Sequence, residues 1–155
     1  MNENNLEKII NNIVGDAIVK EVMSLKLAVK LIETVEEKAA EMGLAVVVAV
    51  SDASGRPVAV HCMDGAYHGS FDVAVNKTAF QMSTAKLSRL CQPGQDLYGL
   101  QFSNNGKVMI LGGGEPLMVG RTMIGALGVS GGSAQEDSDL AAYGASALKE
   151  VIKCL

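Results

Sequence analysis

The first part of the chain carries two stretches whose apolar residues recur with a helical period. In residues 3–20 they fall at i, i+3 and i+4 spacing, and the acidic and amide side chains lie off that stripe. This pattern predicts a short amphipathic helix, which either docks on its own domain or inserts its apolar stripe into a groove on a partner. The second stretch predicts a longer helix that is capped by Ser24 and ends at Gly43. We therefore treat residues 1–23 as an appendage to a domain of residues 24–155.

Short apolar runs that are rich in β-branched residues predict the strands of that domain. Residues 44–50 and 58–62 flank a turn-forming segment and predict a β-hairpin from the centre of a sheet. Residues 107–111 predict a third strand, and residues 116–119 and 121–129 predict a second hairpin with a tight turn between them. Sequential strands joined by tight turns favour an α+β domain, in which helices pack on an antiparallel five-stranded sheet.

A further helix is predicted over residues 67–82, between the two hairpins. Its apolar residues form one stripe that begins at Phe71, and we expect this stripe to pack inward. On the same helical wheel His68 falls among the apolar residues, whereas Ser70 and Lys77 fall on the opposite side. The pattern therefore predicts an inward-facing histidine close to a glycine-rich turn.

Two glycine clusters, at residues 112–114 and 128–132, bracket the last predicted strands. Glycine-rich turns before a helix can bind phosphate, but neither of the two strict phosphate-binding fingerprints is present here. The glycines are better explained as turns and points of close backbone approach at the ends of a central strand. The helix that follows, over residues 134–153, is predicted to begin with a capping box formed by Ser133 and Glu136.

The composition narrows the class of protein. Apolar residues make up 48% of the chain, and no apolar run reaches the ~18 residues that span a bilayer. The first residues show neither a basic start nor a hydrophobic core typical of secretion signals, so we expect a cytoplasmic protein without membrane contact. A net charge of −4, no tryptophan and 4% aromatic residues argue against nucleic-acid binding. Cys62, Cys91 and Cys154 are odd in number and widely spaced, as is typical of reduced thiols.

An ordered series of short motifs resembles one known family. The motifs are M-D-G-A at residues 63–66, N-K-T-A at 76–79, Q-P-G at 92–94, L-Y-G at 97–99, G-G-G-x-P-L at 112–117 and I-G-A-L-G-V-S-G-G at 124–132 with a following Q-x-D. Over roughly residues 24–152 the sequence resembles the GlcG/HbpS family. This resemblance implies a profilin-like fold and a homo-oligomer, often an octamer. It also implies haem as a cofactor, because several members bind haem and some degrade it or sense redox state.

The same family includes the C-terminal domain of PduO and small proteins encoded with glycerol or diol dehydratases. The corrinoid adenosyltransferase domain of PduO has no counterpart in this sequence, so we do not expect adenosyltransfer. Secreted members carry a signal that this sequence lacks, which favours the cytoplasmic branch, whose companions process diols, glycerol or glycolate. The helix predicted for residues 1–20 resembles the targeting helices of microcompartment cargo. The resemblance therefore implies a shell or cargo partner for that segment, inside a bacterial microcompartment.

Haem binding requires an axial donor, an apolar slot and polar groups for the propionates. The sequence has two histidines, and His68 is the first candidate for the iron ligand because of its predicted inward direction. The alternative is a histidine that caps the helix or donates to a carbonyl. His61 alternates against Cys62 on a predicted strand, so only one of them can share a given face. Cys62 is a second candidate ligand, the alternative being a buried, inert thiol.

Five further residues are candidate cofactor contacts. Asp64 and Lys77 match the family motifs, although Asp64 also suits a tight turn and Lys77 a solvated helix face, an anionic ligand or a subunit interface. Tyr98 either donates a hydrogen bond to a ligand or fills the core. Gly113 and Gly114 would let a neighbouring chain or a flat ligand approach the backbone closely. No Ser/His/Asp set, paired catalytic carboxylates or metal-ligand cluster stands out in the sequence, so no catalytic residue is predicted.

Three functional hypotheses follow from these features. The first is a cytoplasmic, oligomeric haem- or tetrapyrrole-binding accessory protein of diol, glycerol or glycolate metabolism. The second is a structural or recruitment module without catalytic activity, which binds a microcompartment partner through its first helix. The third is an enzyme that acts on a small hydroxy acid or a corrinoid.

Overall fold

In the computed structural model, residues 22–155 are described, and within them four antiparallel strands form one sheet. The strands are β1 (Val47–Asp52), β2 (Pro57–Cys62), β3 (Gly114–Val119) and β4 (Thr122–Ser130). Their order in the sheet is β2-β1-β4-β3, so β1 and β4 are central and β2 and β3 form the edges. Both predicted hairpins are confirmed, since β1 pairs with β2 and β3 pairs with β4.

The helices are α1 (Leu25–Glu41), α2 (Ser70–Asn76), α3 (Thr84–Leu90) and α4 (Ala134–Lys153), with short 3-10 turns at Leu100–Phe102 and Asn104–Gly106. The predicted caps are confirmed. Ser24 accepts a hydrogen bond from the amide of Leu27 at the start of α1, and Ser133 and Glu136 form a capping box at the start of α4. The helix predicted for residues 3–20 lies outside the described residues.

The two faces of the sheet are covered very differently. The long helices α1 and α4 pack on one face, against Val48 and Val50 of β1 and Leu127 of β4. On the other face, Val47 and Ala49 of β1 contact the short helix α2. Because side chains alternate along a strand, β1 is buried on both faces, which explains its unbroken apolar run. The face under α2 is thinly covered, and the candidate site lies there.

Within residues 22–155 the fifth predicted strand is not confirmed. Residues 107–111 form no strand, and Val108 instead packs beneath α3 against Leu87 and Cys91. An apolar run of this length does not distinguish a strand from a loop segment that is buried under a helix. The edge strand β3 begins at Gly114, and an edge position tolerates Pro116 because proline cannot donate a backbone hydrogen bond.

The predicted helix over residues 67–82 was wrong in its length and in its buried side. Helix α2 buries Ser70 and Ala74, while Phe71 is 47% exposed. The reason is a close approach to β4, where a Cβ atom on Gly128 would collide with the carbonyl group of Ala74. Only small side chains fit between this helix and the glycine-bearing strand, so the large apolar residues of α2 are displaced outward.

Among the helices of residues 22–155, none combines the length and the hydropathy that a bilayer crossing requires.

Candidate functional site

An open pocket lies where the end of β2 meets the first turn of α2. It has a volume of about 380 Å³, and its lining includes Val47, Cys62, Tyr67, His68, Phe71 and Asp72. This volume lies in the usual range for small-molecule sites, which is about 300–1,000 Å³. The lining combines aromatic rings with a thiol, an imidazole and a carboxylate, so the pocket can hold an apolar ligand and fix it by polar contacts.

The M-D-G-A motif forms the turn that places this lining. The amide of Met63 donates to the carbonyl of Val46 (3.1 Å), and the amide of Ala66 donates to the carbonyl of Met63 (3.0 Å). Gly65 adopts a φ of 87°, a left-handed conformation that favours glycine. Asp64 is exposed in this turn. The motif therefore carries the chain from the end of β2 to α2, and it brings the following Tyr67 and His68 over the end of the sheet.

His68 is exposed at the entrance of α2, so the prediction that it faces the core was wrong. It lines the pocket together with Cys62, which comes from the neighbouring strand end. The N-cap residue of α2 is Gly69, and no described side chain caps this helix, so His68 has no capping role. Its imidazole is therefore accessible to a ligand in the pocket.

The two histidines lie on opposite faces of the sheet. Cys62 stands opposite Val47 and His61 opposite Val48, so the predicted alternation is confirmed. His61 faces α1, where its Nδ1 lies 3.2 Å from Oε1 of Glu36. The structure thus separates His61 from the pocket. Cys62 is exposed rather than buried, contrary to the alternative of a buried thiol.

Lys77 lies inside the protein, so its predicted position on a polar helix face was wrong. Its side chain is 1% exposed, and its Nζ donates to Oδ2 of Asp137 (2.9 Å) and to the carbonyl of Val129 (2.6 Å). The other carboxylate oxygen of Asp137 accepts from the amide of Gly132 (2.9 Å). Burial lowers the pKa of Lys77, although the hydrogen bond and the charge of Asp137 oppose that shift. This ion pair ties the end of α2 to β4 and to the first turn of α4.

Gly113 and Gly114 pack against Lys77 and are buried. A Cβ atom on Gly113 would lie 2.8 Å from Nζ of Lys77, and one on Gly114 would collide with the carbonyl of Lys77. The amide of Gly114 donates to Oγ1 of Thr84 (2.9 Å). The described chain itself therefore fills the space that the sequence suggested for a flat ligand, and these glycines serve the packing behind the pocket.

Tyr98 lies in the loop between α3 and β3 and is 59% exposed, so it does not fill the core. Its neighbours Leu97 and Leu100 pack on the small apolar cluster beneath α3. Tyr98 is not among the residues that line the pocket. Its hydroxyl is available to a ligand or partner only on that separate surface.

The structure thus divides the predicted site residues into separate groups. His68 lines the open pocket, while Lys77, Gly113 and Gly114 form the buried layer behind it. Sequence reasoning missed the aromatic side chains of the pocket, because the helical pattern had assigned Phe71 to the core. Cys62 stands opposite Val47 in the sheet, and Val47 faces α2. Strand alternation was therefore the available signal that the thiol also faces α2.

The potential metal-donating side chains of the pocket suit an iron ion whose other ligands come from a cofactor. Within residues 22–155 no group of three or more His, Cys, Asp or Glu side chains is arranged to hold a metal ion. A bare structural metal such as zinc requires about four protein ligands. Haem iron already has four porphyrin nitrogens and needs only axial donors, such as histidine or cysteine. His68 and Cys62, beside the aromatic rings, fit that requirement.

The chain belongs to the HbpS-like family. A model of this family, described as haem degrading protein HbpS-like, matches residues 23–146. The chain is 37% identical over 123 residues to an uncharacterised 15.0 kDa protein in the dhaT-dhaS intergenic region of Citrobacter freundii, covering 77% of this chain and 87% of that protein. It is 41% identical over 109 residues to the corrinoid adenosyltransferase PduO of Salmonella typhimurium. That match covers 68% of this chain but only 32% of PduO.

Solved structures of similar proteins share the fold. The ORFY protein of Klebsiella pneumoniae superposes with a TM-score of 0.79 at 36% identity, covering 82% of this chain and 90% of ORFY. A crystal structure of a PduOC:haem complex superposes with a TM-score of 0.77 at 35% identity, covering 81% of this chain and 94% of PduOC. The resemblance that the sequence motifs indicated is therefore confirmed.

Proposed function

We propose that the protein is a haem- or tetrapyrrole-binding accessory protein, and that the pocket between β2 and α2 holds the tetrapyrrole. The observation that carries this proposal is the presence of His68 and Cys62, both iron-donor types, in one open pocket with aromatic walls. The family description and the haem complex of a relative with 35% identity support the choice of ligand. His68 is proposed as the axial ligand, with Cys62 as the second candidate.

The exposed rings at the pocket support a large, flat ligand. Tyr67 is 74% exposed and Phe71 is 47% exposed, although both border the pocket. A macrocycle that rests on these rings would remove their apolar surface from water, and each Å² so buried contributes about 25 cal/mol. Haem would supply a redox-active iron, and the described residues would bind and orient it. We also propose a homo-oligomer, in which a second subunit covers the exposed part of the ligand. This proposal does not specify the number of subunits.

The metabolic setting is proposed from the relatives. One relative is encoded between dhaT and dhaS, and another match is to part of PduO. These contexts support an accessory role in the cytoplasm, in diol, glycerol or glycolate metabolism. The relation to PduO also supports a place in a microcompartment. A second candidate function, recruitment of the domain to a shell or cargo partner through residues 1–20, is favoured by the amphipathic pattern of that segment.

Titration with haemin tests the haem proposal. The wild-type protein should give a saturable shift of the Soret band, and His68→Ala should weaken binding at least about tenfold, which corresponds to about 1.4 kcal/mol. His61→Ala is the matched control, because it removes the other histidine from the opposite face of the sheet and should leave the affinity unchanged. A wild-type spectrum that matches free haemin, or equal losses in the two variants, would overturn the proposal.

A further inference from the structure

An apolar groove lies on the outer side of α1, away from the candidate haem pocket. It has a volume of about 530 Å³, and its walls include Leu25, Val29 and Leu155, with Lys26, Lys30 and Glu33. Leu25 is 62% exposed and Leu155 is 37% exposed, so two large apolar side chains border water here. Val22, immediately before α1, is 56% exposed as well. Leu25 and Val29 lie four residues apart on α1, so their side chains are neighbours on one face of the helix.

We propose that residues 3–20 occupy this groove as a helix that packs antiparallel to α1. Their apolar stripe consists of Leu6, Ile9, Ile10, Ile13, Val14, Ala17 and Ile18. Such a stripe requires an apolar partner surface to be stable as a helix in water. The described groove offers one, and it borders the point at which this segment joins the domain.

The position of Met23 supports the fold-back of the segment. Met23 is 4% exposed and belongs to the main core, so the chain is anchored directly before α1. Three residues, 21–23, separate the predicted segment from Ser24, the N-cap of α1. Connections of about 2–5 residues join antiparallel helices in helical hairpins. The predicted helix of 18 residues would be about 27 Å long, and it matches the 17 residues of α1.

The covalent connection favours this occupant over a second copy of the protein. It gives the segment an effective concentration of about the millimolar range, which a separate molecule in dilute solution does not reach.

Docking of this kind affects any partner that uses the same apolar stripe. A groove on a partner must compete with the groove of α1 for the same apolar stripe. The segment would therefore be available to the partner only in proportion to its undocked fraction. The domain would then set how readily residues 3–20 reach a partner. The groove lies on the α1 side and the haem pocket on the α2 side, so this inference does not depend on haem binding.

Hydrogen exchange on the full chain tests the docking. The amides of residues 3–20 should be protected, and Leu25→Glu should lower that protection at least about tenfold although the change lies outside the segment. Leu25 is the first residue of α1, where an acidic side chain favours the helix, so this variant should remain folded. Ile13→Asp, on the stripe, should have the same effect, whereas Asn12→Asp, off the stripe, adds the same charge and should not.

The competing occupants give different results in the same experiment. Protection that falls in proportion to dilution would assign the groove to the segment of a second copy and overturn the proposal. Segment amides that exchange at the rate of an unstructured peptide in the wild type would overturn it as well. Protection that is independent of concentration and is lost in Leu25→Glu and Ile13→Asp, but kept in Asn12→Asp, supports it.

Discussion

The ammonium group of Lys77 and the carboxylate of Asp137 meet at 2.9 Å in the interior, 60 residues apart in the sequence. Around them the described chain supplies the remaining partners, the carbonyl of Val129 and the amide of Gly132. Three segments therefore join at one point, namely the end of α2, the end of β4 and the first turn of α4. The pocket-bearing helix α2 is held in place from behind by this contact.

Lys77→Met should strongly destabilise the fold. It leaves the buried carboxylate of Asp137 without its cation, and loss of one partner of a buried ion pair costs about 3–5 kcal/mol. Urea unfolding of the variant and the wild type measures this difference. Lys153→Met is the matched control, since Lys153 pairs with Glu150 at an exposed site and its loss should cost less than about 1 kcal/mol. If the two variants unfolded at the same urea concentration, the structural role of Lys77 would be refuted.

The close approach of Gly113 to this ion pair should make Gly113→Ala costly. The added methyl group would lie 2.6 Å from the carbonyl oxygen of Val129 and 2.8 Å from Nζ of Lys77, at a φ of 109°. Gly120 also has a positive φ, of 61°, but a Cβ atom there meets nothing within 4 Å. Gly120→Ala therefore reports the backbone strain alone. We expect Gly113→Ala to lose about 1–3 kcal/mol more than Gly120→Ala in denaturant unfolding, from overpacking. Equal losses would show that the crowding relaxes without cost.

The capping box of α4 should make stability depend on pH in the acidic range. Hydrogen bonds from Ser133 lower the pKa of Glu136 below its usual value of 4.5. A carboxyl whose pKa is lower in the folded state binds fewer protons there than in the unfolded chain. Its contribution is therefore fully present above pH 4.5 and is lost as the pH falls through the folded pKa. Glu136→Gln removes this titration.

Unfolding of the wild type and of Glu136→Gln between pH 6 and pH 3 measures that contribution. The stability advantage of the wild type should shrink as the pH falls below about 4.5, where the carboxylate is protonated. Glu37→Gln serves as a control for the removal of an acidic side chain on another helix, since Glu37 is exposed on α1 and lies outside the capping box. A difference between wild type and Glu136→Gln that stays constant over this range would contradict the prediction.

The local signals of the sequence were sufficient for much of the fold. The caps at Ser24 and Ser133 were predicted because they depend only on side chains within three residues. The alternation of His61 and Cys62 was predicted because the period of a strand is fixed by its backbone. These features require no knowledge of what packs against the element.

The orientation of α2 depended on a distant contact and was not predicted. The helical pattern placed Phe71 inside and Lys77 outside, as it would for a helix on an ordinary apolar surface. The surface that α2 meets is Gly128 on β4, which admits only small residues, and Asp137 on α4 offers a buried partner for the lysine. Neither the glycine contact nor the ion pair is encoded within the segment itself. His68 lies in the turn before α2 and not on the helix, so the helical wheel did not apply to it.

The three cysteines should react at different rates, and a ligand in the pocket should protect one of them. Cys62 and Cys154 are exposed, whereas Cys91 is buried beneath α3. A water-soluble maleimide should therefore modify Cys62 and Cys154 quickly and Cys91 only on unfolding, as followed by mass spectrometry of peptides.

Saturating haemin should slow the labelling of Cys62 at least about tenfold, because that side chain lines the pocket. Cys154 is the internal control, since it lies at the end of α4 and not in the pocket lining. Equal protection of Cys62 and Cys154 would indicate nonspecific association of haemin, and unchanged labelling of Cys62 under saturation would place the tetrapyrrole elsewhere on the protein.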